Sequence, residues 1–403
     1  MNAMIVENIK RLGGDGWPGV SASIRVDGHS AEIWYRVSDG SVVAESNPWL
    51  AVALVAAMKQ GVPLRLPGEV SPKLLRAVPE IQNVFRIWYR DCRPVPVTAN
   101  VASAAGGSED GEVACFFTGG VDSFYTLLRN QSEVSTLILV HGFDISLENA
   151  PLRRAVSESL RGVAAAFGKR LIEVETNVRT FTDRYAEWGH YYVGAALASV
   201  AHLLSGRFRK VLIASSHHYS DLEPFGSHPM LDSRWSTERI EVVNDGYDAT
   251  RIDKLTRLAS SEVAMRSLRV CWSAHATEYN CGRCNKCLRT MASLRLIGAL
   301  DRCTSFRHPL DLARLARLEM TPSRRIPIKE IYAAVRASGR DPQLERALRD
   351  CLDGVYQQGV LGWPRRVANQ LQRSVEALAA SGPAPGAGVA GAKRTYREMD
   401  IGR

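Results

Sequence analysis

The apolar run Val113-Ala114-Cys115-Phe116-Phe117 leads directly into Thr118-Gly119-Gly120-Val121-Asp122-Ser123. Five apolar residues suit a buried strand, and a Gly-Gly pair followed by short polar side chains marks a tight turn into a helix. Glycine lets the backbone approach a polyphosphate closely, and the free N–H groups opening the next helix attract negative charge. Asp122 and Ser123 stand where a side chain caps that helix, and the Ser123 hydroxyl could also face phosphate. The run lacks the Lys-Ser/Thr ending of a Walker A loop, so that nucleotide-binding pattern does not fit. A strand-to-helix turn without a ligand is the alternative reading of the glycines.

From this point strands alternate with helices. Strands are expected at 113–117, 134–140, 170–175 and 210–215, and amphipathic helices at 123–130, 150–167 and 185–205. That alternation implies an α/β fold with a doubly wound, mostly parallel sheet, in which ligands bind beyond the carboxyl ends of the strands. Thr118–Ser123 falls at such an end. Residues 1–98 instead show period-two runs at Val20–Val26 and Ala31–Val37, turns at Asp27-Gly28 and Asp39-Gly40, and helical runs near 48–60 and 71–88. They read as a small α+β domain. A glycine-rich linker at 99–111 would join it to a domain at 112–303, followed by helices over 304–375 and a disordered Pro/Gly/Ala tail at 380–403. A length of 403 residues supports more than one domain.

A formal net charge of +9 is spread along the chain without a basic block. It suits a polyphosphate or acidic partner better than a dedicated nucleic-acid surface. No uninterrupted apolar stretch of about 18 residues appears, so no membrane span is expected. Met1–Gly13 has no apolar core after a basic start, which predicts a cytoplasmic chain with its eight cysteines reduced. Four of them, Cys271, Cys281, Cys284 and Cys287, form C-x9-C-x2-C-x2-C. Four thiolates at this spacing can close a tetrahedral Zn2+ site, with Gly282 easing the knuckle and Arg283, Lys286 and Arg289 offsetting its charge. An iron–sulfur cluster and a redox-sensitive loop are the alternatives.

Thr118–Ser123 resembles the S/T-G-G-x-D-S signature of the PP-loop ATP pyrophosphatases. Together with Cys271 and the Cys281-Gly282-Arg283-Cys284-Asn285-Lys286-Cys287 knuckle, it makes the chain similar to the 7-cyano-7-deazaguanine synthase branch of that family over roughly residues 112–300. The resemblance implies an adenine-nucleotide α-hydrolase type of sheet, ATP on Thr118, Gly119, Gly120, Val121, Asp122 and Ser123, and Mg2+ on the phosphates. It further implies cleavage of ATP to pyrophosphate and an adenylated substrate, whose AMP is then displaced. Ammonia as the displacing group would give an amide or nitrile on a purine- or deazapurine-like substrate. In PP-loop enzymes the position of His141 often meets adenine or ribose. Some relatives thiolate purines, and Cys115, three residues before the loop, is the candidate nucleophile or persulfide carrier for that alternative. A buried small hydrophobe is the other reading of Cys115.

After the fourth strand, His217, His218, Tyr219, Asp221, Glu223, His228, Asp232 and Arg234 crowd into eighteen residues. A loop of this composition at a strand's carboxyl end is a candidate substrate site and a source of general acid or base. Asn177 and Arg179 follow the third strand, where Arg179 could hold a phosphate or carboxylate through its fork. Asp122 could hold Mg2+ or cap its helix. The partners expected are a small-molecule substrate and an ammonia or sulfur donor. A homodimer, a nucleic-acid-modifying role and a non-catalytic nucleotide-binding role stay open.

Overall fold

The structure, a computed structural model, describes residues 2–13, 16–40, 42–103, 110–271, 278–319 and 321–354. It is an α/β fold on one ten-stranded, mostly parallel sheet. The strands are β1 (Met4–Leu12), β2 (Gly19–Val26), β3 (His29–Val37), β4 (Leu64–Val70), β5 (Val97–Val101), β6 (Glu112–Phe116), β7 (Thr136–His141), β8 (Arg170–Thr176), β9 (Phe208–Ala214) and β10 (Glu241–Asp245). Their order is β10-β9-β6-β7-β8-β3-β2-β1-β4-β5. Six of the nine neighbouring pairs are parallel, and the antiparallel ones are β8–β3, β3–β2 and β2–β1.

Helices α1 (Asn47–Gln60) and α2 (Pro72–Trp88) belong to the N-terminal strands. Helices α3 (Val121–Arg129), α4 (Ala150–Ala166), α5 (Val178–Thr182) and α6 (Val193–Leu203) connect the parallel ones. After β9 come α7 (Pro229–Asp232), α8 (Arg251–Leu258), α9 (Glu262–Ser267) and α10 (Asn285–Leu296). Helices α11 (Leu312–Ala316), α12 (Pro322–Ser338) and α13 (Pro342–Asp353) pack with α10 around a smaller core that includes Leu288, Leu315, Ile331 and Leu348.

The period-two geometry of strands sends neighbouring residues to opposite faces of the sheet. Ala114, Phe116, Ile138 and Val140 join one core, while Val113, Cys115, Leu137 and Leu139 join the other. The first core runs without a break from Met4 on β1 to Val242 on β10. Residues 1–98 therefore do not stand apart: β3 carries their sheet straight onto β8, with Tyr35 opposite Thr176. At the centre lies α1, buried from Asn47 to Met58. A helix apolar all round, such as Trp49-Leu-Ala-Val-Ala-Leu-Val-Ala-Ala-Met58, must be enclosed on every side. The segment before β10 reaches the start of α2, where Glu238 accepts a hydrogen bond from the Lys73 N–H at 2.7 Å. Opposite ends of the strand order thus meet at the N-terminus of α1, where Asn47 accepts from the Ser71 N–H at 2.9 Å.

The four expected parallel strands and both N-terminal hairpin strands are present. The expected helix at 185–205 opens instead with a π-helical turn at Trp188–Tyr192. Strands β1, β4, β5 and β10 are additional to those expected; β1 and β4 carry register shifts at Glu7/Lys10 and Arg65/Glu69, and β5 and β10 span five residues each. Residues 99–101 of the expected linker belong to β5, and 104–109 lie outside the described residues, as do 355–375 and the tail at 380–403. No helix of the described residues is long and apolar enough to cross a membrane.

Candidate active site

The loop after β6 is built by its glycines. Gly119 has φ +73, a left-handed conformation, and a Cβ there would stand 3.1 Å from Leu160 Cδ2. Its carbonyl accepts the Arg269 N–H at 2.8 Å. Gly120, extended at φ −77 and ψ 168, is the N-cap of α3, so neither Asp122 nor Ser123 caps that helix. Ser123 Oγ donates to the Gly120 carbonyl at 3.1 Å and accepts the Thr118 N–H at 3.4 Å, closing the turn on itself. The Val121 side chain is core. The turn presents backbone N–H groups at the sheet's carboxyl edge, the arrangement that favours an anion.

Asp122 is the loop's acid, and it is already engaged. Its carboxylate accepts from Arg251 Nη1 at 2.7 Å and Lys254 Nζ at 3.0 Å. Burial alone would raise its pKa, but these two cations outweigh burial and hold the carboxyl far below the usual range. Lys254, 3% exposed in its side chain, also donates to the Ser215 carbonyl at 2.6 Å, pinning the end of β9 to the loop. Lys286 and Arg289, on the first turns of α10, face the same place. Burial, then the charges of Arg289 and Arg251, push Lys286 down to about 7, while Asp144 and Asp122 pull it up. Burial and Arg251 push Arg289 down to about 10. The Nε atoms of Arg251, Arg269 and Arg289 are buried with no hydrogen-bond partner among the described residues. Cations crowded around one carboxylate, with donors left over, form a setting that favours an anion.

The cysteines come together as the spacing predicts. The Sγ atoms of Cys271, Cys281, Cys284 and Cys287 all lie within 4.8 Å of one another. Cys281 Sγ accepts the N–H groups of Arg283 and Cys284 at 3.4 and 3.3 Å, and Cys284 Sγ accepts that of Cys287 at 3.4 Å. Gly282 sits at φ +64 with His308 packed on it, so the knuckle requires glycine. Four sulfur ligands fit Zn2+ and leave no open coordination position. Of the knuckle's basic residues, Arg283 is exposed, Arg289 feels the charges of both Asp122 and Cys284, and Lys286 those of Asp144 and Asp122.

Other expected site residues are placed elsewhere. Cys115 is completely buried in β6, and burial pushes its thiol well up, the setting of a core residue. His141 is buried and bonded to Glu173 Oε2 at 3.1 Å and Ser157 Oγ at 3.2 Å, an internal network in place of a nucleotide contact. Glu173 resists burial's upward push and falls to about 2 because His141, Ser157 and Arg161 donate to it. Asn177 ties β8 to β3, accepting the Trp34 N–H at 2.9 Å. Arg179 pairs with Asp183 at 2.9 Å and lies over the Trp188 ring, so its fork is occupied.

The loop after β9 is split. His217 is half-buried against Phe225, and its pKa is lowered by burial with Glu223 and Asp122 opposing. His228 is buried edge-on to Trp88 at 4.9 Å, caps α7 through the Met230 N–H, and is lowered by burial and then by His217. Among the described residues His218 bonds locally to Ser220, Tyr219 packs on Tyr247, and Arg234 pairs outward with Glu80 at 2.8 Å. Asp232 is fully buried, accepting from Asn244 Nδ2 at 2.7 Å and Ser227 Oγ at 2.8 Å. Burial raises it to about 6 against those two bonds.

Asp232 therefore gives a pH signature. Between pH 4 and about 6 the folded chain holds a proton that the unfolded chain has lost, so stability falls as pH rises through that window. The drop expected is about 3 kcal/mol, and Asp232→Asn should flatten it in urea melts at pH 4 to 7. An unchanged slope in that variant would remove Asp232 as its source. Sequence reasoning missed Arg251 and Lys254 because nothing in the local pattern of α8 distinguishes them from an amphipathic helix's polar face. No protein-family model matches the chain, and neither does any curated protein or solved structure.

Proposed function

We propose that the chain is a PP-loop enzyme that cleaves ATP to pyrophosphate and an adenylated small substrate, then exchanges AMP for ammonia. The observation carrying this reading is the cation cluster of Arg251, Lys254 and Arg289 around the Gly119-Gly120 turn, with Asp122 as its internal counter-charge. A pyrophosphate group offers the charge that such a cluster lacks. An oxygen of the substrate attacks the α phosphorus, the bond to the β-phosphate oxygen breaks, and pyrophosphate leaves. Ammonia then adds to the activated carbon, the carbon–oxygen bond to AMP breaks, and the surplus proton passes to solvent. Catalysis of this kind rests on positioning and on stabilising charge that develops on phosphate oxygens.

Mg2+ would arrive with the nucleotide, because Asp122, the loop's own carboxylate, is held by two cations. Zn2+ would serve a structural role on its four cysteines. The burial of Cys115 favours ammonia over a sulfur carried by this thiol. His217, half-buried and within electrostatic reach of Asp122, is the residue of the β9 loop we assign to the acceptor. Purine- or deazapurine-like acceptors remain the class that the loop-and-knuckle pairing suggests.

The test is pyrophosphate release from ATP in the presence of purines, deazapurines or small carboxylates, each with and without ammonium. Release that requires both ATP and one acceptor, with ammonium completing product formation, is the expected result. Failure to bind ATP at all would sink the proposal.

A further inference from the structure

The ten-stranded sheet ends differently on its two sides. At one edge β10 opens with the exposed Glu241, and its outward Val242 N–H donates to Ser236 Oγ at 3.0 Å. A charge on the edge and a side chain over its free backbone keep such a strand from pairing further. At the other edge β5 reads Val97-Thr98-Ala99-Asn100-Val101, with no charge, glycine or proline in it. We propose that β5 pairs antiparallel with β5 of a second copy of this chain, joining two sheets across a two-fold axis at Ala99.

The backbone is set for this partner. The Leu64 N–H donates to the Pro96 carbonyl, and the Val70 carbonyl accepts the Ala102 N–H, both at 2.9 Å. Backbone groups along a strand turn alternately to its two sides, so Thr98 and Asn100 face β4 while Val97, Ala99 and Val101 face outward. The outward N–H and C=O groups have no hydrogen-bond partner among the described residues. In an antiparallel pair centred on Ala99, Ala99 meets the partner's Ala99 and Val97 meets the partner's Val101. Each facing pair then exchanges both N–H···O bonds, and every outward group is satisfied. A centre at Thr98 or Asn100 would leave one outward residue unpaired.

The side chains agree with that register. Val97 and Ala99 pack on the core, whereas Val101 on the same face is 63% exposed. The pairing sets Val101 against the partner's Val97, an apolar cross-strand contact. On the other face Thr98 stands beside Arg65 of β4, and Asn100 beside Glu69. Arg65 and Glu69 are exposed and form no ion pair among the described residues. A two-fold axis reverses their order, so the row Arg65, Thr98 continues into the partner's Asn100 and the partner's Glu69. Opposite charges thus face each other at both ends of the pairing, the self-complementarity that an isologous interface needs.

The experiment is sedimentation of the full chain from low to high micromolar concentration, where a concentration-dependent dimer is expected. Ala99→Pro removes the central outward N–H without touching a bond to β4, and it should abolish the dimer. Arg65→Glu should weaken dimerisation about tenfold by setting like charges across the axis, and adding Glu69→Arg should restore it. Both charge changes lie on exposed side chains, so they decide the matter even if Ala99→Pro lowers Tm. Hydrogen exchange at the Val97, Ala99 and Val101 amides should be slow in the dimer and fast on dilution. A chain that is monomeric at every concentration would overturn the proposal, as would a dimer untouched by Ala99→Pro. A dimer lost in Ala99→Pro yet indifferent to Arg65→Glu would overturn the register centred on Ala99. None of these readouts depends on the nucleotide reading.

Discussion

Lys254→Met should cut ATP-dependent pyrophosphate release at least ~100-fold, the scale seen when one preorganised donor to a developing phosphate or oxyanion charge is lost. The same variant should lose about 3 kcal/mol of stability. Lys254 is almost wholly buried and joins three parts of the site: the Asp122 carboxylate, the Ser215 carbonyl at the end of β9, and the Tyr125 ring face. Methionine keeps the apolar stem but leaves Asp122 with Arg251 alone and leaves the Ser215 carbonyl without its donor. Breaking a buried pair from one side costs more than the pair is worth intact, because a charge stays behind in low dielectric. Adding Asp122→Asn should therefore recover part of the stability lost in Lys254→Met and none of the activity. Urea melts and single-turnover pyrophosphate release separate the two effects. Release within a few-fold of the parent in Lys254→Met would show that the cation cluster is not the phosphate site.

The loop, the four parallel strands and the cysteine knuckle were legible because each is written locally. Apolar runs of strand length, a Gly-Gly turn and a fixed cysteine spacing all act within a few residues. What was illegible depends on the far side of the fold. Lys254 and Arg251 become site residues only because α8 packs against α3, more than a hundred positions earlier. His141 sits at the expected strand end, but the strand's pleat turns it to Glu173 and Ser157 and away from the loop. Cys115 shows the same principle: its register in β6 points it into the core shared with Leu137 and Leu139. The apparent boundary near residue 98 fails for a related reason. A composition change marks where the chain is irregular, whereas the β3–β8 pairing that unites the halves is a contact across well over a hundred residues.

Removal of zinc should abolish nucleotide binding together with much of the fold, and the topology explains why the two losses coincide. The knuckle clamps both sides of the loop. Cys271 ends the segment in which the Arg269 N–H holds the Gly119 carbonyl, and Val270 is tied to Asn280 at 2.9 Å. Cys284 and Cys287 open α10, which carries Lys286 and Arg289 to the cation cluster. A structural Zn2+ contributes apparent binding free energy of roughly 10–16 kcal/mol in small domains, more than most domains have in reserve. Chelation, or Cys284→Ser, should thus lower Tm by well over ten degrees and leave no measurable ATP affinity, with one zinc per chain in the untreated protein. Arg289→Met separates clamp from cluster. It should keep its zinc and its melting transition but lose ATP affinity about 10- to 100-fold, the value of one charge-assisted contact. A zinc-free chain that still bound ATP with full affinity would show that the metal does not organise the loop. Full affinity in Arg289→Met would show that α10 contributes position alone and no charge.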